Sequence, residues 1–251
     1  MGDSQTEGVG DPYPDGTERG WADRFADMLA ESHPGLLYAN LAVRGKRIAE
    51  IHEKQLEPAL EMKPDLVSLI AGLNDMIRPG FDLDSTIEHM DTMQASLVDS
   101  GATVLTITYP DPEGLAPIGK MLKEKTQRFN HALRDVAERN GALLLDLETT
   151  PITTDPRIWC EDRLHLNAEG HRRLSVGMAS LIGEEREDWL SALPAFIEPG
   201  RLSRAATDAR WAWAFFIPWI GRRITGRSSG DGRYPKRPEF AEVRPASVQE
   251  A

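Results

Sequence analysis

The chain contains a single cysteine, Cys160, among 251 residues. That excludes an internal disulfide framework and a cysteine-rich zinc site, both of which need several thiols. Long apolar runs are lacking as well, and none approaches the ~20 residues that a membrane-spanning helix requires. The chain opens on the polar turn Met1-Gly2-Asp3-Ser4 without a charged and apolar leader, which makes a cytoplasmic location the expectation. Positive charge is in deficit. There are 29 Lys and Arg against 40 Asp and Glu, a formal charge of −11, and this disfavours general binding to nucleic acid. What is present, 40% hydrophobic and 27% charged residues, is the balance of a globular protein long enough to bury a substantial core.

Four short apolar runs read as buried parallel strands: Leu36–Val43, Asp65–Ala71, Thr103–Thr108 and Ala142–Leu147. Each is nearly continuous in apolar residues and bounded by Gly, Pro or Asn, as strands covered on both faces tend to be. Helical periodicity occupies the stretches between and after them, near residues 20–32, 47–60, 84–99, 115–139 and 168–183. The first places Trp21, Phe25, Met28 and Leu29 on one face, and the third starts with Asp84 and Ser85 as N-cap candidates and ends at Gly101. This alternation predicts an α/β sheet with helices on both faces and its reactive groups at the C-terminal ends of the strands.

Four polar segments fall where such a sheet gathers them. Gly2-Asp3-Ser4-Gln5-Thr6-Glu7-Gly8 is rich in turn formers, though Gly-Asp-Ser is also an ordinary surface turn. Gly45 follows the first strand run and permits a positive φ and a close approach of backbone to ligand, as any strand-to-helix turn would. Asn74, in Gly72-Leu73-Asn74-Asp75, offers an amide to a developing oxyanion or caps a turn. Asp162 and His165 are three apart, near enough for a carboxylate to orient an imidazole, while His171 reads as a packing or helix-surface residue. No third ligand stands at a characteristic spacing from this pair, so a metal site is not expected.

The order of these blocks carries more than any one of them. Gly2-Asp3-Ser4 with Thr6 and Gly8, then Gly45, then Gly72-x-Asn74-Asp75, then Asp162-x-x-His165 resembles the SGNH hydrolases, the GDSL esterase/lipase family, over about residues 1–185. The resemblance implies a flavodoxin-like three-layer α/β/α sandwich with a mostly parallel sheet. It implies a serine hydrolase that cleaves carboxylic esters through an acyl-serine, with a small-molecule ester as substrate and no metal or organic cofactor. Position by position, Ser4 takes the role of nucleophile, His165 of general base and Asp162 of the carboxylate that orients it. The oxyanion hole falls to Ser4, Gly45 and Asn74. The alternative is an SGNH-fold ligand-binding protein with impaired catalysis.

Two features depart from the pattern. Family members carry an apolar strand just before the Gly-Asp-Ser turn, whereas here only Met1 precedes it. The first strand is therefore expected to be missing, its neighbours left with unpaired backbone groups, and native translation to start upstream of Met1. The second departure is the C-terminal extension, residues 186–251. Residues 201–251 hold ten Lys and Arg against five Asp and Glu, which leaves 1–200 at −16. Within the extension lie Trp211, Trp213, Phe215, Phe216 and Trp219. They either make peripheral membrane contact as an interfacial helix, cover an acyl-binding groove, or dock on the domain's own surface. Trp189–Leu193 reads as a short helix, and Gly226–Pro238, rich in Gly, Ser, Pro and Arg, as a mobile or extended terminus. The loop Pro110–Ile118 is expected to set specificity.

Overall fold

The computed structural model describes residues 1–184, 187–196, 200–224 and 228–243. The apolar runs become strands, each shorter than its run: β1 (Leu37–Asn40), β2 (Leu66–Ser68), β3 (Thr103–Ile107) and β4 (Leu143–Leu145). Between and after them come α1 (Ser4–Glu7), α2 (Gly20–Ser32), α3 (Ile48–Glu61), α4 (Leu73–Met76), α5 (Leu83–Asp99), α6 (Gly119–Asn140) and α7 (Ala168–Ser180). Strands β2, β3 and β4 form a parallel sheet in that order, with Leu66 opposite Thr103 and Leu105 opposite Leu143.

Period-2 alternation along β3 divides the core. Val104 faces a cluster with Ile48, Ile51, Met90, Met93, Leu97, Phe129 and Leu133 from α3, α5 and α6. Leu105 and Ile107 face the other side, against Trp21, Phe25 and Leu29 of α2 and Leu174, Val176 and Met178 of α7. The result is the expected α/β/α layering.

The groove expected from a missing first strand is filled. Residues 1–2 form a stub beside β2, in which Gly2 bridges Ile70 in the parallel sense and the Ile70 N–H donates to the Met1 carbonyl at 3.3 Å. The Met1 amine donates to the Ser68 carbonyl at 2.7 Å, and burial pushes it down to about 5, so it is neutral at pH 7. On the other side the Val43 N–H reaches the Gly2 carbonyl at 3.4 Å. The Gln55 side chain completes the pairing, accepting from Gly2 N–H at 2.8 Å and donating to Gly2 C=O at 2.9 Å. Strand β1, expected in the parallel sheet, lies outside it and pairs antiparallel with β5 (Arg237–Glu242), Leu37 opposite Glu242, with an irregularity between Tyr38 and Asn40.

Of the two readings of Gly226–Pro238, extended or mobile, strand β5 favours the extended one at its end, Arg237 and Pro238. Residues 228–243 follow a defined path over the body, while Gly226 and Arg227 lie outside the described residues. Lys236 holds this path, its ammonium contacting the Asp23 carboxylate at 2.8 Å and donating to the Glu18 and Arg19 carbonyls. Asp23 is buried and also accepts from the Tyr13 and Tyr38 hydroxyls. Two smaller expectations also fail. Trp189–Leu193 is not helical, because the Arg173 guanidinium takes the Trp189 and Ser191 carbonyls at 2.7 Å each. Asp82, rather than Asp84 or Ser85, caps α5, its carboxylate accepting the Ser85 N–H. The extension contributes α8 (Arg201–Trp211), a π-helical turn (Ala212–Phe216) and α9 (Ile217–Ile224).

Removing one partner of a buried ion pair leaves an uncompensated charge. Lys236→Ala should therefore lower unfolding stability by about 3 kcal/mol, measured by chemical denaturation. The double variant Asp23→Asn/Lys236→Met, which removes both charges, should recover at least half of that loss.

Candidate functional site

Ser4 is the first residue of α1, and Asp3 caps the helix by accepting the Gln5 N–H. Four residues cannot sustain a helix in isolation, so α1 is held by what surrounds it. Glu7 receives the Arg44 backbone N–H at 2.6 Å and the Arg44 guanidinium at 2.6 and 2.9 Å. The Asn40 amide donates to the Thr6 carbonyl. The Gln5 amide donates to the Leu164 carbonyl at 2.8 Å, tying α1 to the loop that carries His165.

That loop doubles back on itself. Arg163 adopts φ 57°, in the left-handed region that non-glycine residues seldom enter. The reversal lets one Asp162 carboxylate oxygen accept the N–H groups of Leu164 and His165, both at 3.0 Å. The other oxygen meets His165 Nδ1 at 2.5 Å, and His165 Nε2 lies 2.9 Å from the Ser4 hydroxyl. Serine, imidazole and carboxylate thus form one continuous hydrogen-bonded chain. Burial works to raise the Asp162 carboxyl, but the His165 hydrogen bond and charge and the two N–H donors outweigh it and hold the group below the ordinary carboxylate range.

Gly45 and Asn74 line the same pocket as Ser4, Asp162 and His165. Gly45 has φ 77°, and the C-terminal chain passes so close that a Cβ would stand 2.4 Å from the Ser228 hydroxyl. On the preceding peptide, the Arg44 carbonyl faces Gly230 at close range. A trans peptide then aims the Gly45 N–H away from the tail. Arg78 fixes the next peptide by donating to the Gly45 carbonyl at 2.7 Å. Asn74 is buried and donates to the Asp3 carboxylate at 3.0 Å, which orients the amide and leaves its second hydrogen for another acceptor. Burial pushes Asp3 up to about 6.

The C-terminal extension meets this site directly. Trp211 is buried and its indole N–H donates to the Asp162 carbonyl at 2.9 Å. Arg163 pairs with Asp208 of α8 at 2.6 Å and lies over the Trp211 ring. Trp211, Phe215, Phe216 and Trp219 line a cavity of about 350 Å³ together with Ser4 and His165, whereas Trp213 is 77% exposed. From the Pro110–Ile118 loop come Pro110, Pro112, Leu115, Ala116 and Ile118.

His171 takes no part. Fully buried, it accepts the Trp21 N–H at Nδ1, and its Nε2 faces the Val9 carbonyl; burial pushes it down to about 4. Cys160 is likewise inert, its thiol raised to about 11 by burial and nearby carboxylates. Among the described residues no group of three or more His, Cys, Asp or Glu is placed to hold a metal ion, and no helix is long and apolar enough to cross a membrane. Sequence reasoning missed Gln5, Glu7, Arg44, Gln55 and Arg78, which act through contacts distant in sequence. For Gln5, Glu7, Arg44 and Arg78 the only signal was charge or amide near a turn, and Gln55, inside α3, carried none.

Residues 1–173 match the family model described as the GDSL-like Lipase/Acylhydrolase family. An acetylxylan esterase from Geobacillus stearothermophilus is 23% identical over 202 residues, covering 73% of this chain and 89% of that protein. Two solved structures share the fold at 19% identity and TM-score 0.63, each comparison covering 74% of this chain and 94% of the other. One is an acetyl xylan esterase from the same organism, and one an alpha/beta hydrolase enzyme from the metagenome of Lake Arreo, Spain.

The Asp162 environment predicts a pH signature. A carboxyl held below its unfolded value contributes stability above that value and loses it as pH falls through the folded one. Asp162→Asn should accordingly melt below the wild-type protein at pH 7, and the gap should close below pH ~4. Thermal melts across that range read the difference.

Proposed function

Because the chain belongs to the GDSL-like lipase/acylhydrolase family and is an esterase or acylhydrolase of that kind, we propose that it hydrolyses carboxylic esters through an acyl intermediate on Ser4. The observation that carries this reading is the hydrogen-bonded chain from the Ser4 hydroxyl through His165 to Asp162. A serine hydroxyl is a weak nucleophile at neutral pH without a base in contact with it. His165 Nε2 takes the Ser4 proton as the oxygen attacks the ester carbonyl and then delivers it to the departing alkoxide. Asp162 keeps the proton on Nδ1 and stabilises the imidazolium. In the second half, water loses a proton to His165 and attacks the acyl carbonyl. The tetrahedral carbon collapses, Ser4 recovers its proton, and the acid is released.

The negative oxygen of both tetrahedral species falls to the N–H groups of Ser4 and Gly45 and the amide of Asn74. As the first residue of α1, Ser4 has an N–H outside the intrahelical ladder. Each such donor lowers the barrier by on the order of 3 kcal/mol. The domain organisation follows the same division, residues 1–185 as the hydrolase domain and 186–251 as the extension, whose described residues near 208–219 and 228–230 brace and wall the site.

Ser4→Ala and His165→Ala should each lower kcat for p-nitrophenyl butanoate by about 10⁴ or more while leaving the melting transition intact. A fluorophosphonate probe should label the wild-type protein at Ser4 and fail on Ser4→Ala. Undiminished turnover in both variants would refute the assignment.

A further inference from the structure

The cavity beside Ser4 is walled on one side by the aromatic segment of the extension, and the backbone there is unusual. Over Ala212–Phe216 the ladder widens by one residue, the Ile217 N–H reaching back to the Ala212 carbonyl. In a regular α-helix residues five apart lie ~140° around the axis. The wide turn instead brings Trp211 and Phe216 into a stack at 5.6 Å with 20° between planes, and Phe216 stacks on Trp219 at 6.1 Å and 12°. Such turns sacrifice hydrogen-bond geometry and occur mostly at functional positions. Three rings thus stand in a row on the side that lines the cavity, while Trp213 faces outward.

The rest of the lining is largely apolar too, with Leu73, Met76, Ile77, Leu115, Ile118 and Leu122 among its members. Several polar side chains at the cavity already have protein partners. Arg44 is paired with Glu7 and Glu18, Arg163 with Asp208, and the Thr126 hydroxyl donates to the Leu122 carbonyl. A sugar ring needs convergent donors and acceptors, whereas an alkyl chain needs only apolar surface, which makes up most of this lining. In an acyl-serine cycle the alcohol must leave and water must enter, whereas the acyl group stays attached through both steps. The walled cavity therefore suits the acyl arm.

We propose that the Trp211–Phe216–Trp219 face, with the other apolar residues of the lining, forms an acyl-chain site that selects linear apolar acyl groups of medium length over acetyl. The proposal rests on the Ser4 esterase reading. Its test uses the full chain and a fixed leaving group: kcat/KM for p-nitrophenyl acetate, butanoate, hexanoate and octanoate. Each methylene that enters the site should raise kcat/KM about fourfold, the equivalent of ~0.8 kcal/mol, so with three or four of its six additional methylenes inside, octanoate should exceed acetate by roughly 100-fold or more. Trp219→Ala should narrow the octanoate-to-acetate ratio about tenfold. Trp213→Ala, outside the cavity, should leave it unchanged. If Trp219→Ala does not fold by circular dichroism, Trp219→Leu and Phe216→Leu replace it, with a smaller loss of ratio expected.

A flat profile, a preference for acetate, or a ratio indifferent to Trp219 and Phe216 would overturn the acyl site. Those results, with turnover abolished in Ser4→Ala, leave the esterase reading standing. Absence of both ester turnover and fluorophosphonate labelling in the wild-type protein would overturn the two together.

Discussion

The peptide of Gly2 is the constraint on which the site depends. Its carbonyl accepts from Val43 and from Gln55, its N–H donates to Gln55, and its neighbour Met1 pairs with Ile70. The Gln55 amide, reaching from α3, supplies both hydrogen bonds that an adjoining strand would give. Two residues on stands Ser4. The serine takes its position from this short, fully paired stub and from side chains that grip α1. Buried backbone groups left unpaired at this point would be costly, so the Gln55 contribution is structural in a strict sense.

The same economy governs the other end of the chain. The body is acidic and the extension basic, and the asymmetry resolves into particular contacts rather than a diffuse attraction. Lys236 enters the buried Asp23 site with two tyrosine hydroxyls, and Gly230 presses against the Arg44 carbonyl beside Gly45. Arg163 pairs outward with Asp208, the reverse polarity, and its aliphatic and guanidinium surface lies over Trp211. Two of the four segments at the site, those of Gly45 and of Asp162–His165, therefore have C-terminal residues packed against them.

Much of this was legible in the sequence, for identifiable reasons. Helix α2 emerges with the boundaries its periodicity predicts, and the four apolar runs each contain a strand. For β2, β3 and β4 the apolar signature reflects helices packed on both faces of the parallel sheet, whereas β1, partly exposed and paired with β5, is not the buried parallel strand its run predicts. The approach of Ser4, Gly45, Asn74, Asp162 and His165 follows from the order of blocks along an α/β sheet. What escaped notice depends on pairings remote in sequence. β5, with the sequence Arg-Pro-Glu-Phe-Ala-Glu, carries little strand propensity and forms because β1 offers it an edge. Gln55 looks like any polar residue in an amphipathic helix until Gly2 arrives beside it. The π-helical turn has no sequence mark other than its crowded aromatics.

Trp211 joins these two levels. Its ring is part of the apolar wall, and its N–H holds the carbonyl of Asp162, the residue whose carboxylate meets His165. A wall that excludes water lowers the local dielectric, which strengthens the Ser4–His165–Asp162 hydrogen bonds and raises the penalty for any one of them left unmade. Because one side chain provides both the wall and the brace, whatever fills the cavity bears on the geometry of the carboxylate loop through a single rigid ring. On the proposed reading, acyl-group selection and the alignment of the proton-transfer chain are therefore coupled through the extension rather than through the sheet that carries the catalytic loops.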